Sequence, residues 1–370
     1  MSEPVNVSSS EKAPSQRTND SSSLNPASDD ASVVRQPAPA SGKRKLIIKT
    51  IKLVVLALVL LWIGRQLQKS WTEISLSEWN PHWGWLVASG FFYLCGFFPA
   101  ALFWFLSLRW LGQKPDFFNS ILAYYSSQLG KYVPGKAMVV VIRTGMIASN
   151  SVRASVAAAS VFYETLTMMG SGAFFAAIIV FFCFREHVSY SLMALGVAGI
   201  SLVPLAPPIF VKILKILKIG KGDPHVQTAL QNLKYRYLAL GFGLMAILWI
   251  FFGLSLWAAI QGVGVTPHPL METLPRYIAS VSLAMTLGFV VLISPGGLGI
   301  REAVLSTLLI PYFTILLSEP VNSSFTLQPE ALSTIISLLQ RVVSIIAEAS
   351  VFALMALVGV LRKKGGEPTE

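Results

Sequence analysis

Several ionisable side chains of this sequence lie inside or directly against long apolar stretches. A charge at the centre of a membrane helix costs about 2.5–3.5 kcal/mol on insertion scales, so a chain that keeps several must pair or solvate them. They are therefore the first candidates for binding a charged ligand. The set comprises Glu164, Glu302, Glu348, Arg143, Arg301, Arg341, Lys131 and Lys136.

Helical spacing groups some of these residues. Arg341 and Glu348 lie two helical turns apart, so together with Gln340 they are expected to face the interior of a helical bundle. Glu164 has no opposite charge within one turn and needs a partner from another helix. Each charge either binds a ligand or only pairs with another charge to hold the helices together, and spacing leaves both interpretations open.

Two Pro-Gly breaks interrupt apolar sequence, KYVPGK at residues 131–136 and SPGGLG at residues 294–299. Glycine permits a tight turn and proline ends a helix. A helix that restarts offers free N–H groups and a positive dipole end, which suit a phosphate. Basic residues near both breaks make each a candidate anion site, the alternative being an ordinary loop between helices. The break residues in the predicted site are Pro134, Gly135, Pro295, Gly296, Gly297 and Gly299.

Composition indicates the elements that must position these residues. Charged residues make up 13 % of the chain and apolar residues 54 %, whereas soluble domains carry about a quarter charged residues. The apolar residues fall in blocks of about 17 to 30, the length of a membrane-crossing helix. The sequence therefore predicts an all-α integral membrane protein, a polytopic helical bundle.

The apolar blocks predict about eight membrane-embedded elements. Two regions are each interrupted by a Pro-Gly break and are called here the first broken region, 117–148, and the second broken region, 278–317. The arms of the first are too short to cross and suggest a re-entrant hairpin, whereas those of the second either cross fully or stop halfway. The six firm spans are 46–63, 85–108, 155–184, 189–211, 237–260 and 332–361.

Three segments frame the domain organisation: a disordered tail at 1–42, a transmembrane domain at 43–361 and a short basic tail at 362–370. Strongly basic stretches occur at 43–45, 212–236 and 362–364. The positive-inside rule puts these in the cytoplasm, so both termini are expected there. The net charge of +11 then reflects attraction to anionic lipid and chain orientation rather than nucleic-acid binding.

The second broken region fits this topology in two ways. It can cross the membrane twice, or it can form a hairpin that enters from outside. In the second case the two broken regions enter from opposite faces, which is how inverted repeats build a midplane site in transporters.

The motif PGGLGIRE at residues 295–302 resembles the PGGLGxRE signature of the lysylphosphatidylglycerol synthase transmembrane, or flippase-like, family. GKYVPGK at residues 130–136 with Arg143 resembles an earlier motif of that family, although Lys136 departs from the usual pattern, and the Gln340-Arg341 pair resembles its late Arg. The resemblance covers about residues 45–361 and implies lipid handling in the inner membrane of a bacterial cell. Because the family's synthases carry a soluble domain after this region and this chain ends soon after it, lipid movement without synthesis is expected.

The function expected from the sequence is therefore translocation of a phospholipid or isoprenoid-type lipid, with an anionic head group, between leaflets. A membrane-embedded enzyme using Glu164 or Glu302 is an alternative, but no recognisable catalytic constellation, metal site or cofactor motif supports it. A scaffold for a partner protein in lipid or envelope biosynthesis is a third possibility.

Overall fold

Helices joined by short connections build the described part of the chain, which belongs to one compact unit, Ile47–Glu370. The computed structural model describes residues 81–132, 137–183, 188–217, 219, 223–290, 297–322 and 327–364. The predicted tail at 1–42 and the predicted span at 46–63 lie outside these residues. The helices are α1 Trp83–Trp110, α2 Phe117–Ser127, α3 Ala137–Ile147, α4 Ala154–Cys183, α5 Val188–Leu202, α6 Pro207–Ile216, α7 Pro224–Gln231, α8 Tyr235–Val263, α9 Leu270–Val290, α10 Ile300–Leu317 and α11 Pro329–Lys364.

Within the described residues, six helices are long and apolar enough to cross a membrane, namely α1, α4, α8, α9, α10 and α11. Large apolar side chains such as Val87, Phe91 and Ile346 are exposed on their outer faces. Such a surface indicates contact with lipid tails, because exposing so much apolar area to water would be energetically unfavourable. The prediction of an all-α polytopic membrane protein is confirmed.

The predicted single span at 189–211 is wrong in one respect, because it is broken. A 3-10 turn at Val203–Leu205 separates α5 from α6, and the chain bends by 66° there. Pro204, Pro207 and Pro208 explain the bend, since each lacks the N–H that a continuing helix would use. Counted as one bent pair, α5 and α6 would form a seventh span beside the six long helices of the described residues.

The bundle has two ends, called here the upper end, where α1 begins, and the lower end, where α1 finishes. Helix α8 runs antiparallel to α1: the amide N–H of His82 donates to the carbonyl of Gly262 at the upper end, 3.0 Å away. At the lower end the rings of Trp110 and Tyr237 stack with centroids 4.2 Å apart. These contacts hold α1 and α8 together as an antiparallel pair, against which the broken regions are described below.

The first broken region forms a hairpin of α2, a 3-10 turn at Gln128–Tyr132, and α3. Its two arms start and finish together at the lower end. The amide of Lys114 donates to the carbonyl of Ser151 at 3.2 Å, and the amide of Arg153 donates to the side chain of Gln113 at 2.8 Å. As the sequence predicted, this region returns to the end of the bundle that it left.

The second broken region consists of α9 and α10 and begins earlier than predicted, at Leu270. It enters from the upper end, directly after α8. Both helices are long enough to cross by length and composition, yet the last turns of α9 lie beside the middle of a neighbouring helix. Thr286, shortly before the junction, donates to the carbonyl of Met169 in the middle of α4 at 3.4 Å. The two broken regions therefore enter from opposite ends and approach each other inside the bundle.

Candidate functional site

Arg143 of α3 and Glu164 of α4 form a buried ion pair. The guanidinium Nη1 lies 2.8 Å from the carboxylate, and both side chains are 2 % exposed. Arg143 Nε also donates to Ser127, and the Tyr124 hydroxyl donates to the other oxygen of Glu164 at 3.0 Å. The partner that Glu164 was expected to need thus comes from the hairpin. We call Tyr124, Ser127, Arg143 and Glu164 the clamp, because they tie the hairpin to α4.

Glu348 of α11 pairs with a lysine at the tip of the hairpin. Lys131, in the 3-10 turn, forms an ion pair with Oε1 of Glu348, and the Tyr93 hydroxyl of α1 donates to the same oxygen at 2.5 Å. Lys131 also donates to the Tyr93 hydroxyl at 3.2 Å. The other oxygen of Glu348, Oε2, is buried without a hydrogen-bond partner among the described residues.

Helix α10 brings a second pair of charges to the same place. Arg341 Nη1 lies 3.6 Å from Glu302 Oε1, which is longer than a hydrogen bond. Arg341 also lies over the Tyr132 ring, 5.0 Å from its centroid. Arg301 is near enough to Lys131 and Tyr132 to act on both electrostatically. The hairpin tip and the start of α10 therefore meet around one group of charges.

We call Lys131, Arg301, Glu302, Arg341 and Glu348 the central cluster. The four members on α10 and α11 are at most 6 % exposed, whereas the Lys131 side chain is 19 % exposed. Three cations face two carboxylates, and among the described residues Arg301 forms no ion pair. The cluster thus holds one more positive charge than negative charge in a site of low dielectric, where a monoanionic ligand would balance it.

The start of α10 needs glycine for two reasons. Gly297 and Gly299 have φ of 73° and 83°, a backbone region that other residues rarely adopt. A Cβ on Gly297 would lie 3.1 Å from the Gly288 backbone, so α9 and the start of α10 pack at close range. This close packing brings Arg301 against the end of α9.

The first turn of α10 is already partly capped. The carboxylate of Glu302 accepts a hydrogen bond from the Gly299 amide at 2.6 Å, as a glutamate at the third helical position often does. The expectation of free N–H groups at this break is therefore wrong for Gly299. Arg301 and Arg341, rather than that amide, are the groups best placed to attract an anion.

A polar seam continues from the central cluster toward the upper end. Gln340 is buried and donates to Ser255 of α8 at 2.9 Å, and Ser89 of α1 lies 3.2 Å from Ser255. On α11 the seam includes Ser333, Ser337 and Ser344, all buried. The spacing of these residues puts them on the same face as Arg341 and Glu348.

The predicted site residues thus divide into three groups. Arg143 and Glu164 form the clamp, and Lys131, Arg301, Glu302, Arg341 and Glu348 form the central cluster, with Gly297 and Gly299 shaping its edge. Arg341 and Glu348 both face the interior as predicted, but each pairs with another element. The residues outside the described part of the chain are Pro134, Gly135, Lys136, Pro295 and Gly296.

Sequence reasoning missed Tyr93 and Tyr132 as members of the site. Tyr93 sits within an apolar block, and its buried hydroxyl needs a hydrogen-bond partner, which was the available signal. The sequence pattern identifies Tyr132 only as part of the first Pro-Gly break. Both tyrosines place a hydroxyl or ring against the charges of the central cluster.

The bundle and its charged interior define a multi-pass membrane protein with a polar site enclosed between broken helices. Residues 49–315 match the family described as the lysylphosphatidylglycerol synthase TM region, and the chain belongs to that family. The family points to lipid-related processes in a membrane. No curated protein matches the chain.

Proposed function

We propose that this protein moves a lipid with a monoanionic head group between the two leaflets of its membrane. The observation that supports this most is the central cluster: an excess of one positive charge, buried where two broken regions meet. A buried unmatched charge is costly unless a ligand compensates it. A phosphodiester carries the single negative charge that fits.

The arrangement of the broken regions also supports translocation. Because the hairpin opens at the lower end and the α9–α10 pair at the upper end, small movements of either could expose the central cluster to one end at a time. Discontinuous helices entering from opposite sides are the usual way for transporters to build such a site. The two regions would then act as the halves of an inverted pair.

The lower end is the proposed cytoplasmic end, in a bacterial inner membrane. Lys114, Arg153, Lys212 and Arg236 are all exposed there, whereas the segment 318–330 at the upper end contains no Lys or Arg. The positive-inside rule relates such an excess to the cytoplasm. Helix α11 runs from the upper to the lower end, so the C-terminus would also be cytoplasmic.

Leaflet exchange in purified vesicles tests the proposal. The protein is reconstituted into phosphatidylcholine vesicles that contain a trace of acyl-labelled phosphatidylglycerol or, in parallel, acyl-labelled phosphatidylcholine. Dithionite then quenches the label in the outer leaflet. We expect the protein to accelerate exchange of the anionic lipid well beyond that of the zwitterionic lipid and beyond protein-free vesicles.

Two outcomes would contradict the proposal. The first is the absence of protein-dependent exchange, both with and without an ion gradient. The second is recovery of a chemically altered lipid, detected by mass spectrometry of the same vesicles, which would favour an enzyme. Charge-independent exchange of both lipids would overturn the part of the proposal that concerns the head group.

A further inference from the structure

Glu302 has one carboxylate oxygen that accepts no hydrogen bond. Its Oε2 accepts from the Gly299 amide at 2.6 Å, whereas Oε1 is buried without a hydrogen-bond partner among the described residues. Arg341 Nη1 lies 3.6 Å from Oε1, too far for a hydrogen bond. A buried acceptor without a donor is costly. Oε1 therefore marks a place where a ligand can donate a hydrogen bond.

Serine hydroxyls on α11 offer further acceptors beside Arg341. Ser337 lies one turn before Arg341 and Ser344 one turn after it, on the same face of the helix, and both serines are buried. Each donates its hydroxyl proton to a carbonyl of its own helix at 2.8 Å, Ser337 to Thr334 and Ser344 to Arg341. A hydroxyl that donates in this way retains its lone pairs as acceptors. These side chains therefore also suit a ligand that donates hydrogen bonds.

The same chemistry extends along the interface between α10 and α11. Ser306, one turn beyond Glu302 on α10, has its hydroxyl 3.1 Å from the hydroxyls of both Ser333 and Thr334. Those two hydroxyls also donate to the carbonyl of Glu330. A ligand hydroxyl can take the place of a serine hydroxyl at little net cost, because one neutral hydrogen bond replaces another. Hydroxyl groups thus line this interface from the central cluster toward the upper end.

Charge balance decides which kind of donor fits Glu302. Hydroxyl and ammonium groups can both donate to a carboxylate. A phosphodiester held by Arg301 and Arg341 would neutralise the single excess positive charge of the central cluster. An ammonium group added beside Glu302 would restore that excess in a site of low dielectric, whereas a hydroxyl adds no charge. The donors that fit are therefore neutral hydroxyl groups on the same head group as the phosphate.

We propose that the lipid carries a polyol on its phosphodiester, such as glycerol or a sugar, and that the protein selects this polyol by accepting hydrogen bonds from its hydroxyl groups. This rests on the proposed function and adds the substrate class to it. The arginines of the central cluster bind the phosphate, and Glu302 Oε1, Ser337 and Ser344 accept from the polyol. Because separate side chains recognise the phosphate and the polyol, specificity for the polyol can be measured apart from specificity for charge.

Two acyl-labelled lipids of equal charge and similar size test this inference. Phosphatidylglycerol and phosphatidylpropanol share the phosphodiester, but a propyl chain replaces glycerol in the second lipid and removes both free hydroxyl groups. Leaflet exchange is measured by dithionite quenching in vesicles that contain the wild-type protein, and the rate in protein-free vesicles is subtracted. We expect phosphatidylglycerol to exchange at least about tenfold faster, because the propyl head group leaves buried acceptors unpaired.

Variants are compared by the ratio of the two exchange rates, because a poorly folded variant slows both lipids alike. Ser344→Ala should lower this ratio by about threefold, the effect of one neutral hydrogen bond. Glu302→Gln should lower it further, because a neutral amide replaces a charged acceptor. Ser350→Ala is the matched control and should keep the wild-type ratio. Ser350 also donates to a carbonyl of α11, but it lies on an exposed face of that helix.

The outcomes separate this inference from the proposed function. Equal protein-dependent rates for the two lipids would overturn selection of a polyol and leave translocation of an anionic lipid standing. Absence of protein-dependent exchange of either lipid would overturn translocation itself. If the wild type preferred phosphatidylglycerol and both Ser344→Ala and Glu302→Gln kept the wild-type ratio, the assignment of the polyol to these residues would be wrong.

Discussion

At the scale of single residues, the two buried groups of charges differ in how fully their hydrogen bonds are satisfied. In the clamp, both oxygens of Glu164 have partners, and Arg143 is held by Ser127 and by the face of the Tyr124 ring, 4.1 Å from its centroid. In the central cluster, Glu302 and Glu348 each retain a buried oxygen without a hydrogen-bond partner among the described residues. A network whose hydrogen bonds are all made within the protein is typical of a structural role. A network that leaves buried polar atoms without partners is typical of a site that binds a ligand.

Glu164→Ala tests the structural role of the clamp. Removing the carboxylate leaves the Arg143 charge buried and unpaired, which we expect to cost about 3–5 kcal/mol in the free energy of unfolding. The double variant Arg143→Met with Glu164→Leu removes both charges and should recover most of that loss. Thermal unfolding in detergent measures both. Equal destabilisation of the two variants would contradict the account of the clamp.

At the scale of elements, the hairpin depends on close contact between its arms. Gly130, in the 3-10 turn, faces α3 so closely that a Cβ would lie 2.8 Å from the Val139 amide nitrogen. Backbone atoms cannot move aside as a flexible side chain can. The arms are therefore held together at the tip by this contact and at the base by the hydrogen bonds of Lys114 and Gln113.

Gly130→Ala should consequently destabilise the hairpin by about 1–3 kcal/mol, the usual cost of overpacking. Gly145→Ala is the matched control, since it lies on α3 with no atom within 4 Å of the added Cβ and should be neutral or slightly stabilising. Hydrogen exchange of the α2 and α3 amides in detergent reports the difference. Equal protection of the two variants would show that the arms are not in close contact.

A hydrogen bond also joins the start of α4 to the start of α7. Asp223 caps α7 and accepts a hydrogen bond from the Ser155 hydroxyl at 2.5 Å. This bond, with one from the His225 amide, lowers the pKa of the Asp223 carboxyl below its ordinary value. A lowered folded-state pKa means that the stabilisation is complete above the ordinary value of about 4 and is lost as the pH falls through the lowered one.

The amides at the start of α7 should therefore exchange faster once the pH falls below about 4, after correction for the intrinsic rate. Asp223→Asn keeps a capping side chain but cannot titrate, so its corrected exchange should not change with pH. Hydrogen exchange at His225 and Val226 makes the comparison. An identical pH response in the variant would show that Asp223 is not the titrating group.

The parts of this fold that could be predicted were those encoded over short sequence distances. Apolar blocks gave the long helices, and the Pro-Gly break at 131–136 gave the hairpin. The bend near Pro204 was also encoded, but the apolar composition around it outweighed the signal. The pairing of Lys131 with Glu348 could not be predicted, because the two residues are 217 positions apart and only the packing of several helices brings them together.

At the scale of the whole molecule, two broken regions of opposite direction share one interior site. The hairpin supplies the cation of Lys131 from the lower end, and the first turn of α10, in the region that enters from the upper end, supplies Arg301 and Glu302. Neither region alone would bury a complete site. The position of the central cluster between them is what connects the architecture with the proposed movement of a charged lipid.

Leaflet exchange with Arg301→Gln tests this claim most directly. Loss of a charge-assisted contact to the head group should slow exchange of labelled phosphatidylglycerol by about tenfold or more. The matched control is Arg276→Gln, since Arg276 is an exposed arginine on α9 of the same broken region, and it should leave the rate within about twofold. Unchanged exchange in Arg301→Gln, in a variant that inserts and unfolds like the wild type, would contradict a role for the central cluster in binding the lipid.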